Sequence, residues 1–417
     1  MTKSTLEHQT PRFSHYEILV IAILAITQFT VILDFMVLSP LGALMMETLH
    51  INTRQFGLVV SAYAFSAGAS GLLAAGFADK FDRKKIMVFF YVGFIIGTLL
   101  CGIAPDYNML LIARIVTGLF GGVIGSISMA IVADLFKLEV RGRVMGFVQM
   151  AFATSQVLGI PIGLYFANNY GWHFPFLMIV GLGILVVLCI IFFMKPVTEH
   201  LKVKNERNAF KHLGATLAKP HYLMAFSATV FLATGGFMLM PFASAFITNN
   251  LEIPMAKLPL MYGITGVFSM IFGPLVGSIS DRIGKYKMFC IGSGLAMISV
   301  LVFNNLGPTA FWIVVVVNVC MFASVTARII TSAALVSGIP AIQDRGAFMS
   351  INSSVQQISG GIGSLAAGLI VIQTANGNLE NYDLLGYVVI VAMIVTMTMM
   401  YFVNRYVQQR IMAPVVS

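Results

Sequence analysis

Twelve stretches of this chain are long and apolar enough to cross the ~30 Å hydrocarbon core of a bilayer as helices of about 20 residues. They lie near 18–46, 56–78, 86–104, 108–135, 143–168, 173–194, 221–248, 258–280, 286–305, 309–338, 343–372 and 383–404. Backbone polar groups in lipid must be satisfied within the segment. Barrel strands would instead show alternating segments of about 10 residues, so the runs read as helices. Pro40, Pro161, Pro241 and Pro274 fall inside them, as packed membrane helices tolerate. A chain that is 58% hydrophobic and 10% charged cannot clothe a soluble surface, which draws on about 25% charged residues. The first run is long and follows a polar leader, so it is expected to be retained and not removed as a signal. Cys101, Cys189, Cys290 and Cys320 all sit in apolar runs, which argues against a disulfide framework or a Cys/His metal site. No bound metal is expected.

Charge gives orientation. With both termini on the cytoplasmic side, 21 of the 25 Lys and Arg residues face that side. Only Arg54 and Lys257 fall in outer loops, and Arg114 and Arg328 lie within spans. That split follows the positive-inside rule, so the net charge of +9 is a topology signal and not a sign of nucleic-acid binding. The longest polar stretch, 195–220, follows six spans and precedes six. It reads as a cytoplasmic linker with an amphipathic helix around Asn208–Leu217 lying on the membrane surface. The expected architecture is an all-α membrane protein of twelve transmembrane helices in two pseudo-symmetric six-helix bundles: residues 1–194, the linker 195–220, and residues 221–417.

The two halves repeat each other. Gly277-Ser278-Ile279-Ser280-Asp281-Arg282-Ile283-Gly284-Lys285-Tyr286-Lys287 follows the eighth span, and Ala75-Gly76-Phe77-Ala78-Asp79-Lys80-Phe81-Asp82-Arg83-Lys84-Lys85 follows the second, with Asp281 placed 202 residues after Asp79. Arg345 follows Arg141 at a similar offset of 204. Two half-bundles with a site between them near mid-membrane are the arrangement of a secondary transporter.

These motifs resemble the major facilitator superfamily, specifically its twelve-span proton-linked efflux branch of drug and sugar-efflux antiporters. The family signature after span two is Gly-x-x-x-Asp-Arg-x-Gly-Arg-Lys. The second copy matches it at Gly277, Asp281, Arg282, Gly284 and Lys285. The first keeps Asp79, Arg83 and Lys84 but has Ala75 and Asp82 where the family has Gly. Arg114-Ile115-Val116-Thr117-Gly118 is similar to the span-four Arg-x-x-x-Gly. Gly159-Ile160-Pro161-Ile162-Gly163 resembles the antiporter signature of span five, and Gly171-Trp172-His173 the Gly-Trp-Arg before span six. The resemblance implies a proton-relay role for Arg114 and a gating role for Asp79, Arg83 and Lys84. Asp281, Arg282 and Lys285 are their second-half counterparts, and Asp134, Arg141 and Arg143 are candidates for the same network.

A charge near mid-bilayer costs at least ~2.5–3.5 kcal/mol, so it calls for a partner or a wet cavity. Asp34 is expected about midway along span one, with Thr27 and Thr30 on the same face. Burial and a neighbouring Arg pull a carboxylate's proton affinity in opposite directions. Asp34 therefore reads either as the proton-coupling carboxylate or as half of a permanent ion pair with Arg114. Arg328 in span ten could bind an anionic substrate group, pair with Asp34 across the halves, or serve structurally. Gly118, Gly159, Pro161 and Gly163 read as helix-packing residues.

Substrate chemistry is open at this level. Phe237 and Met238, with Phe231, Met240 and Phe242, would suit an adaptable apolar cavity. Gln149, Gln156, Asn352, Gln356 and Gln357 would suit a sugar or metabolite. The antiporter-like Gly159–Gly163 motif favours proton-coupled export of a small amphipathic or metabolite substrate over uptake of a sugar or organic anion by proton symport. A non-transporting sensor on the same scaffold would be expected to carry an output domain. No phosphate-binding Gly-rich loop is present in the sequence, so no cofactor is expected, only a proton gradient, and no enzymatic activity. The expected setting is a monomer in a bacterial-type cytoplasmic (inner) membrane.

Overall fold

Apolar length makes the helices of this protein, and prolines decide where they break. The computed structural model describes residues 13–77, 80–202, 209–341, 344–374 and 376–412. In chain order the helices are α1 (His15–Val37), α2 (Gly42–Thr48), α3 (Thr53–Phe77), α4 (Arg83–Gly102), α5 (Tyr107–Leu135), α6 (Leu138–Thr154), α7 (Ile160–Tyr170), α8 (Phe174–Phe193), α9 (Ala209–Leu217), α10 (Pro220–Leu239), α11 (Ala243–Ala245), α12 (Leu258–Ile283), α13 (Lys285–Asn304), α14 (Phe311–Ser337), α15 (Arg345–Ile370) and α16 (Tyr382–Met412).

Three expected spans are not single helices. In the run 18–46, α1 stops at Val37 and Pro40 turns the chain before α2, since proline has no N–H to continue the ladder. The run 143–168 is α6 and α7 joined by a π turn at Ser155–Gly159. Pro161 has no N–H for the carbonyl of Val157, four residues back, and the wider turn absorbs the mismatch. In the run 221–248, Pro241 lies in a 3₁₀ turn, Met240–Phe242, followed by α11 and a second π turn at Phe246–Asn250. The all-α expectation has one small exception. Strands β1 (Ile372–Gln373) and β2 (Leu379–Glu380) pair antiparallel around a turn in which Gly377 takes φ 86°, a conformation open to glycine.

Among the described residues, eleven helical segments are long and apolar enough to cross a membrane. The remaining expected span, α15, is 26 residues long but carries Asn352, Ser353, Ser354, Gln356 and Gln357. It tolerates them because it packs against α3 on one side and α10 on the other. The chain is an all-α, multi-pass membrane protein.

Packing repeats between the halves. In the first, α5 packs on α3 and α4, α4 on α8, and α1 on α6 and α8. In the second, α14 packs on α12 and α13, α13 on α16, and α10 on α15 and α16. Across the halves, α3 meets α15 through small residues. A Cβ on Gly57 would lie 3.0 Å from the Ser364 carbonyl, and one on Gly71 3.0 Å from Ser354 Oγ. Ser61 Oγ donates to the Gly361 carbonyl at 2.9 Å.

The two ends of the bundle differ. At the end away from the basic loops the halves are joined. Thr53 Oγ1 donates to the Val371 carbonyl at 2.6 Å. Ser39 Oγ donates to the Met240 carbonyl, and Ser244 Oγ returns a bond to the Ser39 carbonyl at 3.0 Å. Phe56 meets Phe242, and Asn168 Nδ2 donates to the Met255 carbonyl. A Cβ on Gly266 of α12 would come within 2.8 Å of Val157 Cα. Toward the basic end α12, which packs on the π turn and α7, barely touches α6, and Cβ atoms added at Gly142 and Gly146 of α6 or at Gly277 of α12 would meet nothing within 4 Å. The expected linker helix is present as α9. It packs on α3 and α15, and its Leu213 joins the apolar cluster of Tyr222, Phe226, Phe289 and Phe348. Its position is thus a seam between the halves as well as a place on the surface.

Candidate functional site

The deepest charges come together. Asp34 lies three residues before α1 ends, so the break at Pro40 places it nearer the joined end than an unbroken span would. Arg114 Nη1 is 2.7 Å from Asp34 Oδ2, and both side chains are 0% exposed. Thr98 Oγ1 of α4 donates to Asp34 Oδ1 at 3.3 Å. The guanidinium carbon of Arg114 also stands 4.5 Å from the centroid of the Tyr63 ring. Its Nε and Nη2 find no hydrogen-bond partner among the described residues. Thr30 does not reach the carboxylate: its hydroxyl is 2.8 Å from Tyr91 Oη, and Thr27 bonds back to the Ile23 carbonyl.

Glycines set the spacing of this cluster. A Cβ on Gly118 would stand 2.1 Å from Ser66 Oγ and 2.4 Å from the Tyr63 carbonyl oxygen. One on Gly159 would stand 2.6 Å from Leu33 Cδ1, and one on Gly163 3.0 Å from Val37 Cγ2. With Pro161 shaping the π turn, these residues bring α1, α3, α5 and α7 close enough for the pair to form.

The basic-end motifs bond within their own halves or to the linker. Arg83 Nε donates to Asp134 Oδ2 at 3.0 Å. His200 Nδ1 lies 3.2 Å from the same oxygen, and His200 Nε2 lies 3.1 Å from the Phe81 carbonyl. Asp82 caps α4 by accepting from Lys84 N, and accepts from Val197 N as well, each at 2.9 Å. Its φ is −54°, whereas its counterpart Gly284 takes 99°. The acidic replacement thus buys a cap and a tie to the linker. Lys84 Nζ reaches the Ile191 carbonyl. In the second half Lys285 Nζ is 2.5 Å from Asp281 Oδ1 and 3.0 Å from Ser280 Oγ, and Arg282 is exposed. Asp79 lies outside the described residues. Arg141 Nε donates to the Phe136 carbonyl and Arg143 covers the Phe13 ring, so neither joins Asp134. At the other end of the linker, Lys219 Nζ bonds Asp344 Oδ2, which also accepts from Tyr222 Oη at 2.8 Å.

The remaining candidates are scattered. Gln156, in the π turn, lines a small cleft of about 10 Å³ with Ile160, Tyr262, Thr265, Gly266 and Phe322, at the crossing of the two halves. Gln149 and Gln356 are exposed on α6 and α15. Asn352 Oδ1 accepts from Thr229 at 2.7 Å. Phe237 packs edge to face on Phe35 across the halves, while Met238 is buried in the apolar core. Arg328 does not meet Asp34. It packs inside the second half, its guanidinium carbon 5.7 Å from the Phe289 ring, with Nε unpartnered among the described residues. Tyr63, Thr98, Phe35 and His200 were not singled out by sequence. A threonine inside an apolar run was a usable signal for Thr98. The aromatics carried none, because Phe and Tyr are common in membrane helices.

A family model described as Major Facilitator Superfamily matches residues 24–232 and again 225–411. The chain is 26% identical over 278 residues to the Uncharacterized MFS-type transporter YceJ of Bacillus subtilis, covering 66% of this chain and 70% of that protein. It is 23% identical over 339–348 residues to the Inner membrane transport protein YdhP of Escherichia coli, covering 80% and 84%. A shorter match, 34% over 150 residues, spans 36% of this chain and 29% of Multidrug resistance protein 3 of Bacillus subtilis. Among solved structures, a bacterial homolog of the human lysosomal transporter Spinster, inward-facing and unoccupied, superposes with TM-score 0.73 at 16% identity, covering 95% of this chain and 99% of that one. A D-xylose-proton symporter superposes with TM-score 0.74 at 18% identity, covering 91% and 97%.

Proposed function

This chain belongs to the Major Facilitator Superfamily, and we propose from that premise that it is a proton-coupled antiporter exporting a small amphipathic or metabolite substrate. It is a secondary transporter working by alternating access, not an enzyme. One observation carries the proton coupling. Asp34 is fully buried and ion-paired at 2.7 Å to an equally buried Arg114. A carboxylate can take up a proton, and a guanidinium cannot give one up. Protonation of Asp34 therefore changes the net charge at that depth from zero to one positive, which is a large perturbation in a low-dielectric interior. The resemblance of Gly159–Gly163 to the antiporter signature, and the partial match to a multidrug resistance protein, support export.

In this reading the basic end is cytoplasmic, both termini lie there, and the membrane is a bacterial inner membrane, as the name of one relative has it. The two units are residues 1–194 and 221–417, joined by 195–220. The separation of α6 from α12 at the basic end then corresponds to an inward-facing state. The gating residues Arg83, Lys84, Asp281 and Lys285 bond within their own half or to the linker, as suits that state. No cofactor is invoked beyond the proton gradient. The test is reconstitution in liposomes loaded with a pH dye, with diverse compounds screened for substrate-driven proton flux. Proton and substrate moving in opposite directions support antiport. Movement in the same direction replaces it with symport of a sugar or organic anion. Asp34→Asn with intact gradient-driven transport removes Asp34 as carrier.

A further inference from the structure

Phe35 of α1 and Phe237 of α10 each lie about one turn before the proline that breaks their span, Pro40 and Pro241, and their rings meet edge to face at 5.6 Å. That contact lies at the seam between the halves. Phe35 also packs on Tyr63, with ring centroids 5.4 Å apart, and Tyr63 holds the Arg114 guanidinium against its face at 4.5 Å. An unbroken series of contacts thus runs from the Asp34 carboxylate through Arg114, Tyr63 and Phe35 to Phe237 in the other half. Its members have little room to yield. A Cβ on Gly118 would press on the Tyr63 backbone at 2.4 Å, and one on Gly360 would press on the Phe237 ring at 2.9 Å.

We propose that Tyr63 and Phe35 are positioning residues that carry the protonation state of Asp34 to the contact between the halves. The proposal rests on the reading of Asp34 as the proton-coupling group. While Asp34 is ionised, Arg114 is shared between the carboxylate and the ring face. When Asp34 gains a proton, the Coulomb attraction is lost and the π face of Tyr63 becomes the guanidinium's main partner. The cation then bears on Tyr63, Tyr63 on Phe35, and Phe35 on Phe237 of the other half. The titratable groups facing Asp34 are Arg114 of α5, Tyr63 of α3 and Cys101 of α4, and among the described residues α6, α7 and α8 bring none.

The test reads the opening of the basic end against pH. Cysteines at Gly146 and Gly277, positions where an added side chain meets nothing within 4 Å, carry spin labels after Cys189, Cys290 and Cys320 are replaced by alanine. The label distance distribution is recorded in lipid nanodiscs from pH 5 to 9. The ring stabilises the protonated state more than the ionised one, so Tyr63→Leu lowers the midpoint of the transition by about 0.4–1.5 pH units. Tyr63→Phe, which keeps the π face, retains the original midpoint, and Phe237→Leu flattens the response. A merely structural role for Tyr63 would change melting temperature without moving the midpoint. An unmoved or raised midpoint in Tyr63→Leu, or an equal shift in Tyr63→Phe, overturns the relay. Asp34→Asn separates the two claims. A pH response that survives it removes Asp34 as carrier and the relay with it, whereas a response lost there but unmoved by Tyr63→Leu removes the relay alone.

Discussion

Replacing Asp34 by asparagine strands a buried cation. In the native protein Arg114 spends one N–H on the carboxylate at 2.7 Å, while Nε and Nη2 have no partner among the described residues. After the substitution it keeps the Tyr63 face, worth up to ~2 kcal/mol when desolvated, and at best one neutral hydrogen bond worth about 1 kcal/mol. Removing one partner of a buried pair costs about 3–5 kcal/mol. With 417 residues and an unfolding entropy near ~2.1 cal/mol/K per residue, that corresponds to a fall in melting temperature of about 3–6 °C. Removing both charges is different. Arg114→Met in the Asp34→Asn background fills similar space with an apolar chain, and such replacements of buried pairs are often neutral or stabilising. The double variant is expected to melt near or above the native protein and well above Asp34→Asn. The assay is a four-member double-mutant cycle of melting curves in one detergent at one pH. Equal melting temperatures for Asp34→Asn and the native protein, or a double variant below Asp34→Asn, would refute the reasoning.

Three further outcomes follow from the geometry. Gly118→Ala places a Cβ 2.4 Å from the Tyr63 carbonyl oxygen, which cannot rotate away, so α3 and α5 must separate and stability falls by about 1–3 kcal/mol; Gly146→Ala, in open space, is neutral or gains up to ~1 kcal/mol from helix propensity, and melting curves compare the two. Arg328→Met removes a buried charge with no partner among the described residues, so it raises the melting temperature, while export of any anionic substrate by the same variant falls if Arg328 binds that group. The hydrogen bond to Asp344 raises the pKa of Lys219 above its ordinary 10.5. A raised folded-state value means the contribution is complete below about 10.5 and is lost as pH rises through the folded value, so the native protein loses more melting temperature between pH 9 and 11.5 than Asp344→Asn does.

Much of the fold was legible because length and apolarity are the whole requirement for a membrane helix. The breaks were less so. Proline inside a membrane helix is ambiguous, since Pro274 lies within an unbroken α12 while Pro40, Pro161 and Pro241 accompany a turn, a π turn and a 3₁₀ turn. Local sequence does not say which carbonyls the surrounding helices will satisfy. The pairing of Asp34 with Arg114 was within reach, because two charges at similar depth have few alternatives in lipid. Arg328 had several open readings in sequence, and its helix here turns it toward Phe289. Tyr63 and His200 were invisible for opposite reasons. Aromatics are too common in these helices to stand out, and one histidine in a polar linker has nothing beside it in sequence to mark Asp134 as its neighbour.

The two halves share a packing scheme but not its charge. With Pro40 matched to Pro241, the counterpart of Asp34 is Gly235, and with Arg141 matched to Arg345, that of Arg114 is Asn318. Neither can ionise, so a proton arriving at this level changes the charge of one bundle only. Beside the Asp34–Arg114 pair, Phe35 and Phe237 touch across the halves. The proposed proton site is thus confined to one half, while aromatic rings of both halves meet beside it. In the proposed mechanism, a single ionisable pair, on one side of the contact between the halves and in touch with it through Tyr63, supplies the difference in free energy between the two states that a ligand or proton needs in order to shift their populations.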